Sequence, residues 1–247
     1  MKFSIVLATL AAVASAAPSR DVSSSPGRKV QKRAVFTPKT FDELSISGGN
    51  AGTAKEDALA KLSGLPADLS TVDKADLTFL DGVNKIANQA ERGAYNAKIA
   101  ETAPGEDALA LQRAKIQNKV LKLTATVMGL QAEQAQGKNV TAKLEEETKK
   151  LNKNIADDVA NAGKPATALK FNASTDNPTA SEVPKDEALA TKAGDVIDQS
   201  LAAVGGGQGA AGKGKNTGGN GGNGKGKGSG AASKAIEAAQ DAAEDEE

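Results

Sequence analysis

The sequence predicts an all-α protein, an antiparallel helical bundle of three to four helices with a disordered Gly/Lys-rich C-terminal tail. Apolar residues recur at the three- and four-residue spacing of an α-helix through most of residues 73–161. Short turn-forming links separate these stretches. More than half of the 26 Gly residues lie in residues 205–230, and a segment of that composition cannot bury enough apolar surface to fold. We expect the bundle to occupy residues 34–162.

The bundle is expected to open with a short helix, Ala54 to Leu62, after the Gly-rich turn SGGNAG. Three longer helices follow, at residues 73–102, 105–136 and 140–161. Each has an apolar stripe on one side only, so we expect the three to pack against one another. The stripe of the middle helix is a heptad seam of Leu109, Arg113, Ile116, Val120, Leu123, Val127 and Leu130. The stripe of the last helix is Val140, Leu144, Leu151, Ile155 and Val159.

A similar phrase occurs three times, as KEDALA at Lys55, GEDALA at Gly105 and KDEALA at Lys185. An internal repeat is one interpretation, but nothing else recurs with the phrase. Carboxylates oppose the helix dipole in a first turn, so we favour three independent helix starts.

The chain changes character after residue 162. Residues 163–185 contain Pro165, Pro178 and Pro184 among small polar residues and are predicted to be a linker. Residues 186–204 have the pattern of an accessory helix. Residues 205–247 are predicted to be a disordered tail that ends in a marginal acidic helix.

The first 16 residues have the layout of a secretory signal peptide. Lys2 supplies the basic region, an apolar run follows, and Ala14-Ser15-Ala16 is a small-residue cleavage site. The alternative is a buried N-terminal helix. The apolar run is too short to cross a bilayer, and no later segment has the length of a membrane span. We therefore expect a secreted, extracellular protein without a membrane span.

Residues 17–33 are predicted to be a propeptide that ends in the dibasic pair Lys32-Arg33. A Kex2-like processing protease cuts after such a pair in a flexible segment, and cleavage would leave Ala34 as the mature N-terminus. A nuclear-localisation signal or a nucleic-acid patch is the alternative for this basic cluster. An upstream signal peptide disfavours both.

The amino-acid composition limits the kinds of partner and reaction that we expect for this chain. The chain has 31 basic and 31 acidic residues, and residues 1–33 hold six basic residues and one acidic residue, so the mature chain is 25 minus 30, or net −5. We therefore do not expect nucleic acid as the main partner. The chain has no Cys and no His, which excludes disulfides, Cys/His zinc sites and His-based triads. We expect no catalytic, cofactor-binding or metal-binding residues, no cofactor and no enzymatic activity.

Three patterns in the sequence resemble known kinds of functional site. GQGAAGK (Gly207 to Lys213) resembles a phosphate-binding loop, but Gly214 stands where that loop needs Ser or Thr. Glu145, Glu146 and Glu147 with Asp157 and Asp158 could form acid/base pairs or a calcium site. We favour a solvated helix face, supported by Glu–Lys pairs four residues apart. Asn139 and Asn172 begin N-glycosylation sequons, of which the second lies in the predicted linker.

The runs FDELSISGGNAGTAKEDALAKL (Phe41 to Leu62) and AKIQNKVLKLTATVMGLQAEQAQG (Ala114 to Gly137) resemble a family of small secreted proteins of filamentous fungi. The resemblance covers about residues 36–161 and carries no catalytic motif. It implies a fungal extracellular or cell-wall protein at a host interface. The helical core without Cys or His favours a protein that acts through an unidentified protein partner, of the host or of the fungal wall, as a virulence effector or surface antigen. The alternative is a structural component of the cell wall or extracellular matrix.

Overall fold

The computed structural model describes residues 34–206. Its α-helices are α1 (Phe41–Leu44), α2 (Ala54–Lys61), α3 (Lys74–Ala90), α4 (Ala97–Glu101), α5 (Glu106–Ala135), α6 (Thr141–Ala160) and α7 (Glu187–Gly206). Short 3-10 helices occur at Leu69–Thr71 and Pro178–Ser181. Two short strands, β1 (Gly49–Asn50) and β2 (Pro165–Ala166), pair antiparallel. The prediction of an all-α fold is confirmed.

The three acidic phrases all begin helices. Glu56 and Asp57 lie in the first turn of α2, Glu106 and Asp107 in that of α5, and Glu187 in that of α7. The carboxylates oppose the positive end of the helix dipole in each case. The interpretation as helix starts is therefore confirmed.

The helix predicted at residues 73–102 is observed as α3, an irregular segment and α4 in succession. We call these three parts together the rod. Residues Glu91–Asn96, between α3 and α4, form a π-helical segment. A π segment widens the helix and changes the direction in which the following side chains point. The sequence pattern did not predict this feature.

Helix α5 is the central element of the bundle. It packs against α3 and α6 most extensively, and also against α2 and α7. The seam residue Leu123 is buried, as predicted, and only Ile116 of the seam is half-buried. The prediction that α5 is apolar on one side only is wrong, because its other sides are covered as well between Ala108 and Ala125.

The predicted stripe of α6 is also only partly buried. Leu144, Leu151 and Ile155 are half-buried, and Val159 is 56% exposed. The buried residues of α6 are Glu147, Asn154 and Asp158. The polar positions face the fold because α6 joins it through specific hydrogen bonds as well as through apolar contacts.

Residues 163–185 are part of the folded unit, and their prediction as a linker is wrong. The nitrogen of Ala51 donates to the carbonyl of Lys164 (2.9 Å), and that of Thr167 donates to Ala110 (3.0 Å). Ala166 and Ala173 are buried in the main apolar cluster. The ring of Phe171 meets Phe41 edge to face, at 6.0 Å between centroids.

This returning segment lies close against the helical rod. A Cβ atom on Gly82 of α3 would lie 2.8 Å from the carbonyl oxygen of Thr175, and one on Gly93 would lie 2.8 Å from a methyl carbon of Val183. Glycine therefore permits the close approach at both positions. The segment needs this path because Lys39 and Thr175 are hydrogen-bonded through their backbones.

The predicted accessory helix is observed as α7 and packs on α4 and α5. Its residues Ala193, Val196 and Ile197 form a second buried apolar cluster with Ile99 and Leu111. We therefore assign α7 to the bundle. Within residues 34–206, no helix combines the length and the apolar character needed to cross a membrane. The predicted signal peptide, the predicted propeptide and residues 207–247 of the predicted tail lie outside the described residues. Residues 205 and 206, also predicted to belong to the tail, are the last residues of α7.

Candidate functional site

A cluster of buried charged side chains lies where the rod meets α5. Glu91, the first residue of the π segment, is only 5% exposed. Its Oε1 lies 3.7 Å from the Nζ of Lys115 and 3.2 Å from that of Lys119, and its Oε2 lies 3.4 Å from the Nζ of Lys122. All three lysines are buried. One carboxylate therefore joins three cations of the central helix.

Helical spacing brings the three lysines together. Lys115, Lys119 and Lys122 are separated by four and three residues, so they lie on one face of α5. Lys122 also donates to the side-chain oxygen of Asn88 (3.2 Å). The π segment supplies the opposite charge, because its first residue, Glu91, faces the lysines of α5. The polar cluster thus links the end of α3 and the π segment to one face of α5.

Two other buried side chains bind backbone groups that are distant in the sequence. Arg113, 4% exposed, donates to the carbonyl of Pro165 (2.6 Å) and is ion-paired with Glu106. Asp158, 2% exposed, accepts from the backbone nitrogens of Gly52 (3.0 Å) and Ala54 (2.9 Å). These contacts connect α5 to β2 and α6 to the start of α2.

The acidic group on α6 is divided between surface and interior. Glu145 and Glu146 are exposed, as predicted for a solvated face. Glu147 and Asp158 are buried, so the prediction of a solvated face is wrong for these two residues. Among residues 34–206, no three His, Cys, Asp or Glu side chains converge as a metal site.

Lys150 bridges the surface and buried parts of this acidic group. Its Nζ lies 3.1 Å from Glu146 and 2.9 Å from Glu147. Burial opposes the charged form of Lys150, but hydrogen bonds to Glu147 and Glu146 outweigh it, and the pKa of Lys150 lies above its usual value. The predicted Glu146–Lys150 pair is confirmed.

The predicted modification sites lie on separate segments. Asn139 is exposed in the link between α5 and α6, and Asn172 is exposed in the segment that follows β2. The neighbours of Asn172 are fixed, since Ala173 is buried and its carbonyl accepts from the nitrogen of Phe41 (2.9 Å). Lys32, Arg33 and the glycine-rich phosphate-loop pattern lie outside the described residues.

An open groove of about 710 Å³ lies between residues 70–77 and the end of α5. Its polar groups already hold the helices together. Gln136 donates to the carbonyl of Val72 (2.9 Å), and the Asp73 carboxylate accepts from the nitrogen of Ala75 (2.8 Å). The groove therefore shows no arrangement of groups directed at a substrate.

The last turns of α7 expose apolar side chains. Val196 and Ile197 are buried, as is Ser200, but Leu201 is 55% exposed and Val204 is 44% exposed. Leu201 and Val204 are three residues apart and therefore neighbours on the helix surface. We call this pair the α7 apolar end.

Sequence reasoning did not find the Glu91 cluster. Lys and Glu on a helix normally face water, and the apolar seam of α5 drew attention to another face. The available signal was the spacing of Lys115, Lys119 and Lys122 on one face of a helix that also carries an apolar seam. That spacing alone is equally typical of a solvent-facing side of an amphipathic helix, so only the structure shows that the lysines are buried.

Comparison with known proteins gives one match. A family model described as a domain of unknown function, DUF8454, matches residues 36–170. No curated protein and no solved structure matches the chain. The matched region begins at Phe36, includes helices α1 to α6 and β2, and covers more than half of the chain. The chain therefore belongs to the DUF8454 family.

Proposed function

We propose that the mature chain is a non-enzymatic secreted protein of a filamentous fungus that acts by binding another protein, as an effector or surface antigen at a host interface. The α7 apolar end, Leu201 and Val204, is the observation that supports binding. The secretory layout of residues 1–33 and the resemblance to small secreted fungal proteins support the location and the source.

The apolar face of α7 continues beyond the part of the helix that the bundle covers. Ala193 and Ile197 are 2% and 5% exposed, and the next residues at helical spacing, Leu201 and Val204, are 55% and 44% exposed. Adjacent large apolar side chains on a surface favour contact with a partner. An apolar partner surface would continue the packing that α4 and α5 provide further along α7.

The structural contacts of the buried charged side chains support a binding function rather than a catalytic one. Glu91, Arg113 and Asp158 are buried, and each makes an ion pair or a hydrogen bond within the fold. Catalytic groups need a reacting partner within hydrogen-bond reach in a cavity. These three residues instead align helices and hold loop backbones.

Binding can be tested with two matched double variants of the tagged mature chain. Leu201→Ser with Val204→Ser removes the α7 apolar end, and Leu59→Ser with Val159→Ser removes exposed apolar side chains from α2 and α6. We expect saturable binding to a component of host extracts, at least tenfold weaker for the first variant and unchanged for the second. Absence of saturable binding, or equal loss in both variants, contradicts the proposal.

The alternative is a structural component of the fungal wall or extracellular matrix. Lys213, Lys215, Lys225 and Lys227 among glycines favour it, because such a segment can adhere to anionic polymers through spaced charges. This alternative predicts that the protein fractionates with the wall and is released by salt. Recovery only from the culture filtrate contradicts it.

A further inference from the structure

The first described residues are held by a buried carboxylate. Asp76, in the first turn of α3, is 1% exposed. Its Oδ1 accepts hydrogen bonds from the backbone nitrogens of Val35 (2.8 Å) and Phe36 (2.9 Å). The ring of Phe36 stacks on Phe79, with 4.6 Å between centroids. The chain is therefore ordered against α3 from its second described residue onward.

Ala34 lies at the edge of this contact. Neighbouring backbone nitrogens are about 3–4 Å apart, so the nitrogen of Ala34 lies within about 7 Å of the Asp76 oxygen that binds Val35. Ala34 itself is exposed. A group attached at its nitrogen is thus open to solvent and close to a buried anion.

We propose that Asp76 is the receptor for the amino terminus that cleavage after Arg33 releases, and that the new ammonium group of Ala34 forms an ion pair with it. A dibasic-specific protease hydrolyses the Arg33–Ala34 peptide bond with one water molecule. Arg33 keeps the new carboxylate, and Ala34 keeps the amine, which takes up a proton. Processing then strengthens the folded unit as well as shortening the chain.

The change on cleavage is one of charge. The nitrogen of Ala34 is a neutral amide before cleavage and a cation afterwards. The hydrogen bonds from Val35 and Phe36 already orient the Asp76 carboxylate, so the ion pair needs little further ordering of that side chain. Opposite charges at this distance attract more strongly near a protein interior than in bulk water. This inference concerns the folded state and does not depend on any partner.

The test compares one protein before and after cleavage. The chain from residue 17 to residue 247 is purified uncut, and its thermal unfolding is measured before and after treatment with a dibasic-specific protease. Mass spectrometry and N-terminal sequencing establish a single cut before Ala34. We expect the unfolding midpoint to rise by about 2–4 °C, the shift that roughly one kcal/mol produces in a protein of this size. An unchanged or lower midpoint overturns the proposal.

Three controls separate the ammonium group from the removal of the propeptide. Chains that start at Ala34 with an acetylated amine, or with one additional Gly before Ala34, should lack the gain, because the charge is absent or displaced. Asp76→Asn should lower the midpoint of both forms and abolish the difference between them. A gain that persists with acetylation, or in Asp76→Asn, overturns the proposal. If Asp76→Asn does not fold, the acetylated and Gly-extended chains decide the question with Asp76 intact.

Discussion

Individual buried charged residues make contacts that favour one packing arrangement of the helices over others. Glu91 is the clearest case, since one buried carboxylate contacts three buried lysines on α5. Burying charges is costly, and a buried ion cluster need not stabilise more than apolar packing would. Removing one member of the cluster is strongly destabilising, because the remaining charges stay buried without their partner. The cluster therefore favours one alignment of α3 and α5 over alternatives.

Glu91→Gln tests this alignment. The substitution keeps the shape of the side chain and removes its charge, so we expect a loss of about 3–5 kcal/mol in the free energy of unfolding. Urea denaturation measures it. Glu145→Gln, at an exposed position of α6, is the matched control and should change stability by less than about 0.5 kcal/mol. Similar small effects at both positions would mean that the cluster contributes little.

Glu43 gives the fold a pH-dependent contact at the start of α1. The pKa of Glu43 is lowered by hydrogen bonds from the backbone and the hydroxyl of Thr40, with Lys39 and Lys61 adding to the effect. Its stabilising contribution is therefore present above the unfolded-state pKa of about 4.3 and is lost as the pH falls through the lower folded value. Glu43→Gln should make stability less sensitive to acid.

The measurement compares the urea midpoints of wild type and Glu43→Gln between about pH 5 and about pH 3, across the titration of a carboxyl group. The difference between them should shrink toward the acid end. Thr40→Val removes the hydroxyl, which donates to the Glu43 carboxylate and accepts from the Glu43 backbone nitrogen. It should produce part of the same pH-dependent change, together with a loss of stability that does not depend on pH. A constant difference across this range would show that the capping contact is not the source.

At the scale of elements, the sequence predicts which segments are helical but not how fully each is covered. The helices at residues 105–136 and 140–161 follow from apolar spacing, and the helix starts near residues 54 and 105 follow from first-turn carboxylates. Both are local signals. Coverage is not local. Arg113 belongs to the predicted seam and is buried, but it contacts Pro165, whose position follows only from the tertiary structure. The same holds for Asp158, which caps α2 from α6.

The π segment is a feature of the fold that apolar periodicity does not predict. Apolar spacing from Asp73 to Thr102 is compatible with one regular helix, although Gly82 and Gly93 lie within this range. Glu91–Asn96 nevertheless adopts the wider turn. This segment carries Glu91, which meets the lysines of α5, and Gly93, which Val183 and Phe171 approach closely. Such tertiary contacts are not visible in the periodicity of the sequence.

Gly82 tests the close approach of the returning segment to α3. Alanine in a helix is favoured over glycine by about 1 kcal/mol. At Gly82 the new Cβ would lie 2.8 Å from the backbone oxygen of Thr175, so we expect Gly82→Ala to destabilise by about 1–3 kcal/mol. Thermal or urea unfolding measures this change.

Gly194 is the matched control for Gly82. A Cβ at this position of α7 meets nothing within 4 Å, so Gly194→Ala should stabilise by up to about 1 kcal/mol. Stabilisation of similar size at Gly82 would contradict the close contact with Thr175.

At the scale of the whole molecule, the folded unit extends further than the sequence indicates. Proline and small polar residues predicted a linker after residue 162, because such residues are common in flexible segments. Here the prolines lie in a segment that is fixed by long-range partners, such as Lys39 and Phe41. Processing pairs and sequons, in contrast, are short linear motifs, so they can be predicted without knowledge of the fold. The Glu91 cluster could not, since it exists only after packing.

Truncation tests the extent of the folded unit. A chain ending at Gly163 lacks β2, Phe171, Ala173 and α7, and should lose on the order of 5 kcal/mol or its cooperative transition. A chain ending at Gly206 keeps every described contact and should unfold as the full chain does. Circular dichroism during heating distinguishes the two. Equal transitions for both shortened chains would restore the shorter boundary.

The hydrogen bond between Lys39 and Thr175 can form only late in the synthesis of the chain. The nitrogen of Lys39 donates to the hydroxyl of Thr175, 136 residues later in the chain. At about 5–20 residues per second, the ribosome needs roughly 7–27 seconds to add those residues. During that interval Phe41 lacks its contact with Phe171, so a nascent chain shorter than about 175 residues should be bound by chaperones that recognise exposed apolar side chains. Completion of the fold therefore coincides with the late part of translation.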